Sequence, residues 1–214
     1  MNLTQKYNLK IEFDQGGNSH NIDEHFQDHG ESLLLNFFEK ICLKIKSEKS
    51  NASMIELGAN WSYYSLLFKH IIGKNNTFNI MLEADPEALK RGIHNFSINS
   101  CEGTFLNKMV GNEIYRIPEL AMVPCIQLEN LCKEYNLNHI DILHSDIDCS
   151  EFDMLNQNKT FFEKKIAKYL FLLTHSNDLH NKCFEFLKNL KYNCILNHKD
   201  FNIGGQDALL IFEG

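Results

Sequence analysis

The sequence predicts a doubly wound α/β domain: a mostly parallel sheet with helices on both faces. Three observations carry that prediction. First, short apolar runs alternate with amphipathic segments along the chain, the pattern of right-handed strand–helix–strand crossovers. Second, residues 54–68, MIELGANWSYYSLLF, read as a buried strand, a tight turn at Gly58, Ala59 and Asn60, and a helix opening near Ser62. Glycine in such a turn lets the backbone pass close to a ligand where a Cβ would block it. The helix N-terminus adds free N–H groups and the positive end of its dipole. Third, the apolar run Ile80, Met81, Leu82 ends in Glu83. An acid there can accept hydrogen bonds from both hydroxyls of a ribose. Such proteins build nucleotide sites at the carboxyl ends of strands. The two features together predict an adenosine-containing cofactor.

Composition narrows the class. A chain of 214 residues with 43% hydrophobic content is sized for one compact α/β domain. No window is apolar for the roughly twenty residues that a membrane span requires, so no membrane partner is expected. The first residues lack the apolar core of a signal peptide, which predicts a cytoplasmic location. A net charge of −7 and only two arginines, Arg91 and Arg116, argue against nucleic acid as a partner. The seven cysteines are odd in number and form no C-x-x-C pair, so reduced thiols packed as small hydrophobes are expected.

The elements follow in order. Residues 1–28 are polar, with a turn signal at Gly16, Gly17 and Asn18, and read as an N-terminal arm or lid. Residues 31–46 place Leu34, Phe37, Phe38, Ile41, Cys42 and Ile45 on one helical stripe. Together they make an N-terminal section, 1–48, ahead of the cofactor domain, 49–214. A helix fits 87–98 because Pro86 suits a first turn. Residues 104–110 read as a third strand, 117–127 as a connector and 128–135 as a short helix. Residues 139–146 and 169–173 are buried strands; 149–155 and 179–190 are helical. Residues 192–196 and 208–212 close the sheet, and their short connector predicts an antiparallel pair.

Four segments, ELGANWSYYSLLF, LEADPEALKRGIHNF, IDILHSDIDCSEFDML and YLFLLTHSNDLH, resemble those of the FkbM family of class I S-adenosylmethionine-dependent methyltransferases. They keep the family's order and approximate spacing over residues 54–212. The resemblance implies a Rossmann-like, seven-stranded sheet whose last strand is antiparallel, and S-adenosylmethionine as cofactor. It also implies an O-methyltransferase acting on a hydroxyl of a small metabolite, sugar or glycan. The chain departs from the family pattern at Ser62 and Cys149, where glycines are usual, and at Asp148. Those departures favour an alternative, a degenerate non-catalytic protein kept for binding or for partnering an active subunit. Glu83, Asp146 and His175 speak against it. A nicotinamide oxidoreductase is a poor reading because no G-x-G-x-x-G follows a strand.

By the resemblance, Glu56 and Gly58 flank the methionine end of the cofactor, with Asn60 and Ser62 in the turn, and Glu83 holds the ribose. Asp85 either joins it or only caps the helix at Pro86. Asn107 and Met109 are adenine-side candidates that packing would explain equally well. Asp146 is the foremost catalytic candidate, since it ends a buried strand on the cofactor rim. Alternation along that strand places His144 on the same face, and His175 closes the next strand. Methyl transfer to a hydroxyl needs a proton acceptor, and either a histidine or a carboxylate can serve. The same rim, through Asp146, Asp148 and His175 with Glu151 a turn beyond, could instead hold a divalent cation such as magnesium. The bland reading is that the histidines only order loops. His180 reads as structural. Residues 25–31 are rich in sugar-binding groups and read either as a lid or as a solvated loop. The exposed face of the first long helix is available for a homodimer.

Overall fold

A computed structural model describes residues 3–12, 32–112, 123–199 and 208–214. Its centre is a seven-stranded sheet built from β1 (Ala52–Leu57), β2 (Thr77–Leu82), β3 (Thr104–Leu106), β6 (Ile140–Ser145), β7 (Ala167–Thr174), β8 (Asn193–His198) and β9 (Ala208–Glu213). The order across the sheet is β3-β2-β1-β6-β7-β9-β8. The β1–β2, β1–β6, β2–β3 and β6–β7 pairs are parallel, whereas β9 runs antiparallel to both β7 and β8. This is the expected doubly wound sheet with an antiparallel last strand.

The central strands are apolar on both faces because both are covered. On one face Met54, Ile142, Tyr169 and Phe171 pack against α2 (Ser32–Glu48) and α3 (Tyr63–Ile72), through Phe38, Ile45, Leu67 and Phe68. On the other face Ile55, Leu143, Leu170 and Leu172 meet α5 (Leu128–Glu134), α6 (Glu151–Gln157), α7 (Lys159–Glu163) and α8 (Asn177–Asn189). Neighbouring residues of one strand thus serve opposite layers, the period of two that a covered strand imposes. α4 (Pro86–Ile98) follows β2 and buries Phe96 against the first cluster.

Two local features depart from expectation. The predicted single strand over 104–110 breaks after Leu106. β4 (Met109–Val110) pairs instead with β5 (Cys125–Ile126), as a separate two-stranded parallel sheet. The break sits at Asn107, whose side-chain amide donates to the carbonyls of Glu83 and Ala84 at 2.9 and 2.8 Å and so leaves the ladder. The described part of the N-terminal arm is also tied down. After a short α1 (Leu3–Lys6), Asn99 accepts from the Lys10 amide and donates to its carbonyl (2.9 and 2.6 Å), and Asn95 does the same with Glu12 (2.8 and 3.3 Å). The side-chain amides of Asn95 in α4 and of Asn99 just past its end thus pair with the backbone of this segment. Residues 25–31 and most of the 117–127 connector lie outside the described residues. Among the described residues no helix is long and apolar enough to cross a membrane.

Candidate functional site

β1 pairs with β2 on one side and β6 on the other, so chain direction across the sheet switches at its carboxyl end. A crevice outside such a switch point is where open α/β sheets bind ligands. Gly58 makes the crevice possible. Its φ is +71°, and a Cβ there would stand 1.7 Å from the Asp146 carbonyl oxygen. The turn is wedged in place: the Gly58 and Ala59 amides both donate to Leu82 O at 3.0 Å, and the Asp146 amide donates to Leu57 O at 3.0 Å.

Ser62 and Cys149, two positions where glycine is expected, explain themselves in the backbone. Ser62 sits at φ +59° and Cys149 at φ +73°, both left-handed conformations that glycine adopts most readily. Ser62 is fully buried, makes no capping hydrogen bond, and packs against Gly92, where an added Cβ would come within 2.4 Å of its hydroxyl. No side-chain cap forms at Ser62. Glu56 does the work instead: its carboxylate reaches under the turn and accepts from the Ser65 amide at 3.1 Å. The helix end thus has its acceptor. Glu56 is buried and does not line the crevice.

Burial pushes the Glu56 carboxyl up to about 8, against the lowering pull of the Ser65 and Tyr64 groups. A folded-state value above the unfolded one favours the protonated form. The associated stability is therefore present in acid and is lost as pH rises from 4.5 towards 8. At ~1.4 kcal/mol per unit, the effect should be visible in melting curves. Glu56→Gln, which keeps an acceptor for Ser65 but does not titrate, is expected to flatten the decline between pH 5 and 8.5. An unchanged pH profile in the variant would remove Glu56 as its source.

Glu83 faces the crevice. Its Oε2 accepts from the Asn60 amide (2.8 Å) and its Oε1 from the Asp85 amide (2.9 Å). Burial raises its carboxyl above the usual range. Each oxygen keeps a further lone pair for a hydroxyl donor. Asp85 lines the crevice and also caps α4, accepting from the Glu87 amide at 2.8 Å. The cavity has a volume of about 590 Å³, within the range of small-molecule sites. Leu57, Gly58, Asn60 and Glu83 form one wall, Met109 and Val110 another, and Asp146, Asp148 and Ser150 the far end. Arg91 and Lys108 also line it, and sequence reasoning missed both. The signal for Arg91 was its spacing: Asp85, Ala88 and Arg91 recur every three residues and share a helix face.

At the far end, His175 lies between two carboxylates. Its Nε2 is 3.2 Å from Asp146 Oδ1, its Nδ1 is 3.3 Å from Glu151 Oε1, and Asp148 stands 3.8 Å from Nε2. Hydrogen bonds to Asp146 and then Glu151 raise the imidazole to about 11. It holds its proton at neutral pH, so of the expected bases Asp146 is the one available. His144 is elsewhere. It is buried, stacked on Tyr64 at 4.3 Å and edge-on to Phe38, with neither ring nitrogen hydrogen-bonded. Burial lowers it to about 4, so it is a neutral core residue and no member of the rim. Alternation misplaces it because β6 ends at Ser145, and the chain has already turned at Asp146. His180 is structural: it is buried and bridges Thr174 Oγ1 and Asn197 Oδ1, each at 2.8 Å.

No protein-family model and no curated protein sequence matches the chain. Solved structures do. The N-terminal domain of human METTL16, determined with SAH, superposes with a TM-score of 0.60 at 11% identity, covering 99% of this chain and 78% of that one. An rRNA methylase from Streptococcus thermophilus gives 0.57 at 9%, covering 84% and 95%. A methyltransferase FkbM from Methylobacillus flagellatus gives 0.59 at 14%, covering 76% of this chain and 44% of that one. At these identities the likeness is one of fold: the chain has the Rossmann-like fold of class I methyltransferases.

Proposed function

We propose that the chain is an S-adenosylmethionine-dependent methyltransferase whose acceptor is a hydroxyl of a small metabolite or sugar. The observation that carries the reading is the crevice itself. Glu83 stands at the end of β2 with its carboxylate braced by two backbone amides and its outer lone pairs open to the cavity. That donor set fits the cofactor: Glu83 would hold the ribose hydroxyls, Asp85 and Met109 would border the adenosine, and Gly58 and Asn60 would pass the backbone along the amino-acid end. Bound there, S-adenosylmethionine would supply an electrophilic methyl group. The rest falls to this chain's own residues. Asp146, at the far end of the cavity, is placed to orient an acceptor hydroxyl and to take its proton. His175, cationic between Asp146 and Glu151, holds that carboxylate in position.

Charge supports a small neutral or cationic acceptor over RNA. The chain carries a net −7, and two of its carboxylates, Asp146 and Asp148, stand where the acceptor would enter.

Calorimetric titration with S-adenosylhomocysteine is the test. Micromolar binding is expected, followed by transfer of labelled methyl groups to members of a panel of hydroxylated acceptors. Absence of binding would overturn the cofactor assignment. Binding without transfer to any acceptor would favour a degenerate binding protein.

A further inference from the structure

Resting on the reading of the cavity as a cofactor site, we propose that Asp146, Glu151 and His175 form a binding site for a first-row divalent cation such as Mn²⁺ at its acceptor end. Each of the three offers one ligating atom, and these atoms lie within 4.8 Å of one another. Each stands at the end of a regular element: Asp146 follows β6, His175 follows β7, and Glu151 opens α6.

An acidic cluster alone would not carry this. A second observation does. Glu151 is fully buried, and among the described residues its Oε2 has no hydrogen-bond partner. Its other oxygen is well supplied, by the Ile147 amide at 3.0 Å and by His175. A buried carboxylate oxygen without a partner is costly, and ion pairing through Oε1 leaves that cost in place. His175 Nδ1 is contested too. The Cys149 amide N–H points at it from 3.3 Å while the Glu151 carboxylate stands equally near, so a donor and an acceptor compete for one atom. A cation held by both carboxylates, and by His175 once it displaces the imidazole proton, gives the buried Glu151 carboxylate the partner it otherwise lacks.

The donor set selects the ion. Two carboxylates balance a double positive charge, and the imidazole shifts preference from magnesium towards Mn²⁺, Fe²⁺ or Zn²⁺. Asp148, wholly exposed and 3.8 Å from His175, is within reach as a further oxygen ligand. The expectation of magnesium on Asp146, Asp148 and His175 is thereby revised: Glu151 replaces Asp148 as the inner ligand. Because Asp146 also lines the cavity, the ion would lie beside an incoming hydroxyl and make its proton easier to lose.

The test is binding of Mn²⁺ alone to chelator-stripped protein, read by loss of the free-ion paramagnetic resonance signal and by calorimetry. One saturable site at micromolar Mn²⁺ is expected, with weaker Mg²⁺ binding. Glu151→Gln and His175→Gln should each weaken Mn²⁺ at least tenfold. S-adenosylhomocysteine affinity, measured on every variant in chelator, shows whether each still folds and keeps the cofactor site separate. Wild-type protein that binds S-adenosylhomocysteine but shows no saturable Mn²⁺ site overturns the cation proposal and leaves the methyltransferase reading standing. Mn²⁺ binding that survives both substitutions places the ion elsewhere and overturns it as well. Mn²⁺ binding at this site without S-adenosylhomocysteine binding would uphold the site and sink the cofactor reading instead.

Discussion

Gly58→Ala is expected to abolish S-adenosylhomocysteine binding and to destabilise the protein by more than about 3 kcal/mol. Two costs add. The left-handed backbone at φ +71° costs an alanine ~1–2 kcal/mol by itself. The larger cost is collision, since the new methyl group would stand 1.7 Å from the Asp146 carbonyl oxygen. That oxygen is backbone at the end of β6, so relief requires β1 and β6 to part or the turn to flip. Either movement breaks the Asp146-to-Leu57 and Gly58-to-Leu82 hydrogen bonds and withdraws the Asn60 amide from Glu83. Gly73→Ala provides the comparison. Its φ is +135°, but its nearest neighbour would be an asparagine side chain at an ordinary 3.5 Å. It should show backbone strain without loss of binding. Urea unfolding and calorimetric titration of both variants separate strain from collision. A Gly58→Ala protein that binds within threefold of wild type would refute the wedged-turn account.

The sheet was legible because its residues obey a simple rule. Strands covered on both faces must be mainly apolar, and those of this chain are, with Glu56 and Asp141 the acids within Met54–Leu57 and Ile140–Leu143. The positions of Gly58 and Glu83 follow from the same reasoning, since both are strand ends. What escaped the sequence was whatever depends on direction rather than sequence distance. Glu56 looked like a ligand-binding acid, yet its carboxylate reaches under the turn to the start of α3. Asn107 looked like a strand residue, yet its amide bonds across to the β2 loop. Arg91 and Lys108 come from separate segments, and only the fold brings both to the cavity. The Ser62 and Cys149 departures gain meaning only from the backbone: in both places a side chain has been fitted to a left-handed conformation. The crevice beside Gly58 and Glu83 is present with both side chains in place.

Asp146→Asn is expected to lower turnover by about a hundredfold to ten-thousandfold, the range that a positioned proton acceptor supplies. S-adenosylhomocysteine affinity should stay within about threefold. The prediction divides the residue in two. Its backbone holds the crevice together: the amide bonds Leu57 and the carbonyl abuts Gly58, and asparagine keeps both. Its side chain lines the cavity, 38% exposed, and meets His175 at 3.2 Å. Asparagine has nearly the same shape but cannot take a proton or balance the imidazolium. The loss should therefore fall on kcat and not on cofactor binding. His175→Gln is the companion variant, because His175 acts through Asp146 and touches no acceptor in this account. It should lower activity less than Asp146→Asn does. With an acceptor from the hydroxyl panel, steady-state rates of the two variants distinguish the roles. Wild-type turnover in Asp146→Asn would take the residue out of the chemistry and leave it a structural role at the end of β6.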